Sequence, residues 1–376
     1  MRGVAIIQVM AVHFTRDRPQ VALAIGVDVF FVLSGFLITK LVLTQLERNE
    51  GGGGWRPFMR RRLARIYPAL VVVCGAFLVT GTLLFSKSAV AVIAEVLASL
   101  TFTYPLLAAA RVEQGLMLLP MWSLSVEVWF YIVWSAFLLL VVRRYTARRL
   151  RFTLMTLVTL CLTVQVIRAV SYADAAVVLH RLRVDLFGIG AAWAIFGSLR
   201  GWVVPRIVRL LAGAVLPLLV LTSLLSRPFP YDVDAGARLL PEPVARFFGP
   251  WGGPGFTLAM WSVGAFVLVV FCGEQSRTVA ILAWRPLVFM GLISYSIYLW
   301  HYPLSWLVYE WGPTYLQWDV ADVDLLAASL YFAVCAVLST AVGWVSYRFV
   351  ELRFMNLGQT AGRSGRVLPN LRRGPG

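Results

Sequence analysis

The chain has 376 residues and a strongly apolar composition, with 60% hydrophobic residues, 14% charged residues and a mean hydropathy of +0.78. A soluble domain contains about 45–50% apolar and about 25% charged residues, so these values exclude an ordinary soluble protein. The net charge of +16 comes almost entirely from arginine. Because the arginines cluster between hydrophobic runs, they indicate membrane topology and contact with anionic lipid, and no nucleic-acid partner is predicted.

Ten hydrophobic runs predict membrane-spanning helices, because crossing a ~30 Å hydrocarbon core takes about 20 apolar residues. The fold is therefore predicted to be all-α and polytopic. A further apolar run, 89–110, contains Glu95 and Pro105 and is interpreted as a re-entrant or interfacial helix. In chain order the predicted spans are 3–15, 21–43, 67–85, 121–142, 152–170, 182–199, 208–225, 255–272, 287–307 and 325–346.

The arginines between these runs predict the orientation of the chain, because cytoplasmic loops are enriched in Lys and Arg. Two arginine-rich segments, 56–65 and 143–151, should both be cytoplasmic, and the two spans between them allow this. The remaining spans then place both termini in the cytoplasm and the acidic segments 232–242 and 319–324 outside.

The domain organisation is predicted to be simple, with one membrane domain over 1–350 and a basic, disordered cytoplasmic tail over 351–376. Four cysteines each lie alone inside an apolar run, and none forms a CxxC motif. This spacing predicts neither a disulfide framework nor a metal site.

Ionisable residues inside predicted spans are costly to bury, and each marks a candidate functional site. At ~1.5 Å of rise per residue, His13 lies about 16 Å from Arg2 along its helix. Eleven residues at ~100° each return both side chains to one helix face. The same rise places Asp28, Glu127 and His301 about 9–10 Å below the outer surface. We therefore expect these groups to converge in the outer half of the membrane.

Three interpretations of these residues stay open at this point: buried structural pairs, the proton relay of a secondary transporter, or an active site. Arg183 and Asp185 carry opposite charges at the start of one predicted span, which favours a structural or gating pair. Tyr298 and His301 share a helix face at a spacing of three residues, a pattern equally typical of aromatic packing at the membrane interface.

Six short motifs lie in order along the chain and carry more information than its composition. They are Arg2-x10-His13; the segment from Gly26 to Leu37, which contains Asp28 and Ser34; Arg61-Arg62-x-x-Arg65-Ile66-x-Pro68; Trp122-Ser123-Leu124-Ser125-x-Glu127 with Phe130-Tyr131; Arg183-x-Asp185 followed by Gly188 and Gly190; and Ser294-Tyr295-x-x-Tyr298-x-x-His301. Together they resemble the acyltransferase-3 family of bacterial integral-membrane O-acyltransferases, and the resemblance covers nearly the whole chain.

The resemblance implies a multi-pass enzyme of the bacterial cytoplasmic membrane that moves an acyl group, expected to be acetyl, from cytoplasmic acyl-CoA. The acceptor would be a hydroxyl of an extracytoplasmic carbohydrate or secreted small molecule. His13 would be the general base or acyl carrier, with Glu127 or Asp28 orienting and balancing its imidazolium. Tyr298 or His301 would donate hydrogen bonds to the oxyanion. Acyl-CoA is the co-substrate, and no bound cofactor is expected.

The resemblance also gives the basic cluster a role in binding the donor. Guanidinium groups bind phosphate bidentately, which suits the phosphates of acyl-CoA; topogenic charge alone is the alternative. Ser34 is assigned with the structural or gating residues, and Pro68 is expected in the first turn of the next helix. The donor-binding arginines predicted in this way are Arg2, Arg61, Arg62 and Arg65.

The chain departs from the family pattern near its last predicted helix. The family commonly places Pro two residues after a glutamate there, whereas Glu351 is followed by Leu352 and Arg353. Glu351 is therefore assigned no functional role from the sequence. The alternative function is a proton-coupled secondary transporter, although the internal repeats usual in transporters are not evident. A lipid-flipping or scaffold protein is a third interpretation.

Cysteine labelling from outside intact cells tests the predicted orientation. Arg61→Cys and Arg148→Cys should both be protected from a membrane-impermeant thiol reagent, because the positive-inside rule places both positions in the cytoplasm. Asp234→Cys, in a predicted external segment, should be labelled and is the control. Labelling at either arginine position would contradict the predicted topology.

Overall fold

A computed structural model describes most of the chain. Within the described ranges the backbone is helical and contains no strand, so the all-α prediction is confirmed. The acidic segments 232–242 and 319–324, Arg143, Arg144 and the tail from 356 onward lie outside the described residues. The described ranges are 1–14, 25–47, 54–84, 88–110, 116–142, 146–170, 182–215, 217–219, 254–273, 277–316 and 325–355.

Two of the helices continue directly into a π-helical turn: Met121–Ala136 continues into Phe137–Val142, and Leu325–Ser346 continues into Tyr347–Glu351. The helices are α1 (Arg2–Phe14), α2 (Gly26–Glu47), α3 (Trp55–Leu83), α4 (Ala89–Leu100), α5 (Tyr104–Ala110), α6 (Met121–Ala136), α7 (Ala147–Val170), α8 (Val184–Leu199), α9 (Arg206–Gly213), α10 (Pro254–Phe271), α11 (Arg277–Leu282), α12 (Arg285–Leu292), α13 (Ser294–Leu316) and α14 (Leu325–Ser346).

The described helices support a multi-pass membrane protein. Six of them are long and apolar enough to cross a membrane, and α1, α4 and α8 are shorter apolar helices. The count of ten spans and the orientation of the termini stay predictions. The six candidate spans are Gly26–Glu47, Trp55–Leu83, Met121–Leu140, Ala147–Ile167, Pro254–Phe271 and Ala327–Met355.

The arginine-rich segment before the third predicted span differs from expectation, because it is part of a helix. α3 begins at Trp55, so the arginines from Arg56 to Arg65 occupy its first three turns. Pro68 consequently lies inside α3, and its predicted place in a first turn is wrong. Arg and Leu are strong helix formers, which favours extension of the helix ahead of the proline. The arginines are therefore held on defined helix faces.

Two apolar runs, each predicted to be a single segment, are divided into two helices. The run 287–307 is split at Ile293 into α12 and α13, and 89–110 is split between α4 and α5. Phe102, between α4 and α5, has a positive φ of 56°, a conformation that ends a helix. Whether 89–110 is re-entrant or interfacial stays a prediction.

At the end of the described chain, α14 and its π-helical turn continue as helix to Met355. The helical part therefore passes the predicted boundary between membrane domain and tail at 351.

Two helices at the centre of the fold pack in backbone contact. A methyl group added at Gly190 of α8 would lie 2.0 Å from the carbonyl oxygen of Val32 in α2. One added at Gly35 of α2 would lie 2.1 Å from the carbonyl oxygen of Phe187 in α8. The ring of Phe31 stacks on that of Phe187 at 4.3 Å between centroids. Small residues on both helices thus allow the close approach typical of membrane helix pairs.

The position of α1 is also set by backbone contacts. A methyl group at Gly3 would lie 2.0 Å from the carbonyl oxygen of Leu287 in α12, and one at Gly26 would lie 2.5 Å from that of Ala5. The buried side chains of Ile6, Val9 and Met10 belong to a cluster that also includes residues of α13 and α14. α1 is therefore fixed at both its first turn and its middle.

The backbone contact of α8 with α2 gives a stability prediction. Gly190→Ala should reduce the accumulation and thermal stability of the membrane protein, by about 1–3 kcal/mol or more, because its methyl group overlaps a backbone atom that cannot rotate away. Gly75→Ala in α3 is the matched control, since a methyl group there meets no atom within 4 Å. Fluorescence-detected gel filtration with heating would compare the two. Equal stability of both variants would contradict the packing.

Candidate active site

Two histidines from distant parts of the chain meet inside the helical bundle. His13 lies in the last turn of α1 and His301 lies in α13, and 3.0 Å separates His13 Nδ1 from His301 Nε2. His13 Nδ1 also lies 3.0 Å from the carbonyl oxygen of Val9, and His301 Nδ1 lies 2.7 Å from that of Tyr298. The sequence predicted both histidines as site residues, and the structure brings them into contact.

These contacts determine where the protons lie in the neutral pair. A carbonyl oxygen can only accept, so His301 Nδ1 must carry a hydrogen and its Nε2 must be an acceptor. His13 Nδ1 also faces a carbonyl, so it carries a hydrogen that is shared between Val9 and His301 Nε2. The remaining lone pair is on His13 Nε2, which has no hydrogen-bond partner among the described residues. This nitrogen is therefore the basic atom of the pair.

Aromatic rings enclose the histidine pair. The ring of Tyr302 meets that of His13 edge-on, with 5.1 Å between centroids, and the ring of Phe14 lies 6.3 Å from that of His301. His301 is fully buried. Apolar surroundings of this kind exclude water and strengthen the hydrogen bonds inside them.

A second centre lies near the other end of α1. It is a cavity of about 80 Å³ into which three guanidinium groups face, those of Arg2, Arg62 and Arg65. The cavity is lined by Arg2, Phe30, Arg62, Arg65, Ile66, Leu124, Glu127, Tyr131, Ser294, Tyr295 and Tyr298.

The helical spacing of the basic cluster decides which arginines reach this cavity. Arg62, Arg65 and Ile66 are three and four residues apart and share one face of α3. Arg61 is about 100° away from Arg62 around the helix, is exposed, and is not one of the lining residues. The sequence grouped Arg61 with the donor-binding arginines, and the structure separates it from them.

Glu127 belongs to the cavity wall. Its Oε1 accepts hydrogen bonds from the hydroxyl groups of Ser34 and Tyr131. The predicted depth of Glu127 in the membrane suggested contact with His13, but depth does not determine how α6 is rotated about its own axis. The carboxylate turns toward Tyr131, one turn further along α6, and toward α2. Ser34, predicted to be structural or gating, is therefore a direct partner of Glu127.

Asp28 is engaged in a buried ion pair. It accepts a hydrogen bond from Arg183 Nη1, and both side chains are shielded from solvent. Arg183 precedes α8 with a positive φ of 44°, while Asp185 accepts a hydrogen bond of 3.3 Å from Gln165 Nε2. The sequence paired Arg183 with Asp185 because they are adjacent at a helix end. The structure instead directs the guanidinium to α2, because α2 and α8 pack in backbone contact.

Tyr298 connects the two centres. Its hydroxyl lines the cavity and donates to the carbonyl oxygen of Pro120 at 2.8 Å. It also lies 2.5 Å from the hydroxyl oxygen of Ser123. His301 is three residues further along the same helix. Tyr298 thus ties the start of α6 to α13 at the boundary between cavity and histidine pair, and its proton is already bonded to Pro120.

The two centres are opposite ends of one helix. Arg2 and His13 both face α13, as their spacing predicted, and are about 16 Å apart along α1. Among the described residues, no group of three or more His, Cys, Asp or Glu side chains could hold a metal ion. The two centres are therefore a cavity lined by three arginines and, one helix length away, a pair of imidazole rings.

Residues outside the sequence predictions also contribute to this region. Tyr295 lines the cavity and donates to the carbonyl oxygen of Ile66 at 2.7 Å, which joins α13 to α3 beside the arginines. Glu351 is buried against α13, where the hydroxyl of Ser296 donates to its Oε1. The sequence feature that could have identified Glu351 is a carboxylate at the end of an apolar run.

A family model described as an acyltransferase domain, that of the acyltransferase-3 family, matches residues 1–348. The chain belongs to the acyltransferase-3 family. Membership confirms the resemblance that the motifs suggested. No solved structure shows a significant match to the chain.

The relatives that the chain is similar to are longer proteins. It is 25% identical over 372 residues to the peptidoglycan O-acetyltransferase OatA of Listeria monocytogenes, covering 93% of this chain and 54% of that protein. It is 26% identical over 326 residues to the putative peptidoglycan O-acetyltransferase YrhL of Bacillus subtilis, covering 81% and 47%. It is 25% identical over 373 residues to the O-acetyltransferase OatA of Staphylococcus aureus, covering 93% and 55%. The chain spans about half the length of these relatives.

Proposed function

We propose that this acyltransferase-3 protein is a membrane O-acetyltransferase. It moves an acetyl group from cytoplasmic acetyl-CoA to a hydroxyl of a carbohydrate on the far side of the cytoplasmic membrane. The observation that carries the proposal is the arrangement along α1, with the arginine cavity at one end and the histidine pair at the other. The relatives named as peptidoglycan O-acetyltransferases support acetyl as the acyl group and a cell-wall glycan as the acceptor.

The arginine cavity is the proposed site for the phosphates of the donor. Arg2, Arg62 and Arg65 converge on it, and guanidinium groups form charge-assisted bidentate bonds to phosphate oxygens. The thioester lies at the opposite end of coenzyme A from these phosphates. With the phosphates held at Arg2, the arm of the donor runs along α1 past Tyr298, and the thioester reaches His13.

His13 is the proposed general base. Its Nε2 takes the proton of the acceptor hydroxyl as the hydroxyl oxygen attacks the thioester carbonyl carbon. When the carbon–sulfur bond of the tetrahedral intermediate breaks, the imidazolium returns this proton to the leaving sulfur, which departs as the thiol of CoA. Proton transfer by a positioned base is worth about 10²–10⁴-fold in rate.

His301 is the proposed positioning residue for His13. Its Nε2 accepts from His13 Nδ1 and so selects the tautomer whose Nε2 is free to act. When His13 becomes charged, the acceptors at Val9 and His301 stabilise the imidazolium, as the third member of a catalytic triad does. This role replaces the expected one for Glu127 or Asp28, whose hydrogen bonds lie elsewhere.

The overall activity can be measured with the purified protein in lipid nanodiscs. Release of free CoA from acetyl-CoA, increased by a cell-wall glycan acceptor and accompanied by an acetylated glycan on mass spectrometry, is the expected result. Proton-coupled uptake in proteoliposomes without CoA release would support the transporter alternative and refute the proposal.

Arg62→Ala and Arg65→Ala should each raise the apparent KM for acetyl-CoA about tenfold, because a charge-assisted hydrogen bond is worth about 1.5–3 kcal/mol. High salt should weaken donor binding to the wild type. Lysine at these positions should rescue only partly, since it cannot form the bidentate contact. Arg61→Ala is the matched control, with the same charge change on the same helix but outside the cavity. An unchanged KM in folded Arg62→Ala and Arg65→Ala would leave the cluster a purely topogenic role.

His13→Gln should accumulate normally but lose at least about 10²-fold in transfer rate, because glutamine keeps a hydrogen bond and lacks basicity. His301→Gln should lose less. The double variant should be little worse than His13→Gln alone, since groups acting as one unit are non-additive.

Glu127→Gln provides the contrast for this series. Because Glu127 lies with the arginines, its substitution should alter the KM for the donor, and its effect should add to that of His13→Gln. Steady-state kinetics of these three single variants and of the two double variants, His13→Gln/His301→Gln and His13→Gln/Glu127→Gln, test the assignment. If stably folded His13→Gln keeps most of its activity, or if His301 and His13 act additively, the assignment of this pair is wrong.

A further inference from the structure

Glu351 is a buried carboxylate whose surroundings give it incomplete hydrogen bonding. It ends the π-helical turn after α14 and is 1% exposed. The hydroxyl of Ser296 donates to its Oε1, whereas its Oε2 is shielded from solvent and has no hydrogen-bond partner among the described residues. A charged oxygen in this position is costly unless cations are close.

The cations close to Glu351 are those of the arginine cavity. Ser296 directly follows Ser294 and Tyr295 on α13, two of the residues that line the cavity. The positive charges of Arg65 and Arg2 favour the charged form of the Glu351 carboxylate. The Nε of Arg2 is likewise shielded and has no hydrogen-bond partner in the described part of the chain.

The arginines need such a neighbour for a physical reason. Arg2, Arg62 and Arg65 also act on one another as like charges, which disfavours their common placement in a shielded cavity. Glu127 supplies one negative charge on the wall, and its Oε1 already accepts from Ser34 and Tyr131. Glu351 supplies a second negative charge, which acts on Arg65 and Arg2.

We propose that Glu351 is the counter-charge of the arginine cavity, a positioning residue that keeps Arg2 and Arg65 in place and sets the affinity of the cavity for phosphate. The inference rests on the proposed function in one respect, that the donor brings phosphates to these arginines. The carboxylate and the phosphates act on the same guanidinium groups. Its negative charge therefore weakens phosphate binding, which favours release of CoA after transfer.

The direct test uses inorganic pyrophosphate as the probe and the full-length protein in nanodiscs. Glu351→Gln keeps an acceptor for Ser296 and removes the charge. It should bind pyrophosphate about 3- to 10-fold more tightly than the wild type. This is the effect expected from removing one negative charge whose interaction with the cavity is partly screened. The dependence of binding on salt should become steeper, and kcat for acetyl transfer should fall while the KM for acetyl-CoA also falls.

Two variants separate charge from other effects. Glu310→Gln, an exposed carboxylate on the same helix as Ser296, is the matched control and should bind pyrophosphate as the wild type does. Ser296→Ala removes the hydrogen bond and keeps the charge, so its pyrophosphate affinity should stay within about twofold of the wild type. Equal tightening in Ser296→Ala and Glu351→Gln would overturn the assignment of the effect to charge.

A second measurement applies if Glu351→Gln fails to accumulate. The double variant Arg65→Gln/Glu351→Gln removes one cation with the anion and should restore accumulation, because the repulsion among the remaining arginines is lower. Failure of this rescue would overturn the proposal. Wild-type acetyl transfer together with unchanged pyrophosphate affinity in Glu351→Gln would overturn this inference alone. Tighter pyrophosphate binding without any acetyl transfer would uphold it and refute the proposed function.

Discussion

Glycine allows α1 to lie in backbone contact with its neighbours, and the distances that matter for function follow from this contact. Gly3 meets the carbonyl of Leu287, and Gly26 meets that of Ala5. A side chain at either glycine would push the helices apart. Held in this way, α1 acts as a rigid spacer of about 16 Å between Arg2 and His13. A donor whose phosphates and thioester are separated along its length can contact both ends, whereas a small anion can occupy only one.

The polar residues of the bundle follow a common rule, that a charge removed from water needs a partner within the protein. Asp28 and Arg183 form an ion pair across the contact between α2 and α8, and Glu127 accepts from two hydroxyl groups. The histidine pair obeys the same rule without any net charge. An uncharged base can be buried at low cost, and it becomes charged only while the proton is in transit. The bundle can therefore keep the histidine pair away from water and the arginine cavity at the far end of the helix.

Much of this fold could be read from the sequence, because hydrophobic runs and the positions of intramembrane charges are local properties. The same holds for the common face of Arg2 and His13, which depends only on helical periodicity.

The hydrogen-bond partners of the buried carboxylates could not be predicted in this way. Asp28 and Glu127 have suitable depths for contact with His13. Helix rotation and the close packing of α2 with α8 instead direct Asp28 to Arg183, and Glu127 to Ser34 and Tyr131.

The helical start of α3 was not predicted because the arginines were interpreted by their charge alone, although their spacing separates Arg61 from Arg62. Glu351 was set aside because its local motif lacks a proline, whereas its burial depends on residues more than fifty positions away.

The backbone of Arg183 adds a constraint of another kind. Its φ of 44° lies in the left-handed region, which costs a non-glycine residue about 1–3 kcal/mol. Glycine would adopt this conformation freely but would remove the guanidinium that pairs with the carboxylate of Asp28. Arginine therefore carries a conformational penalty that the ion pair to α2 outweighs. A search for thermostabilising substitutions that scored only backbone compatibility would select glycine at this position, and it would remove the charge that joins the two central helices. The relaxed backbone that glycine would allow and the ion pair that arginine forms are therefore opposing demands at this residue.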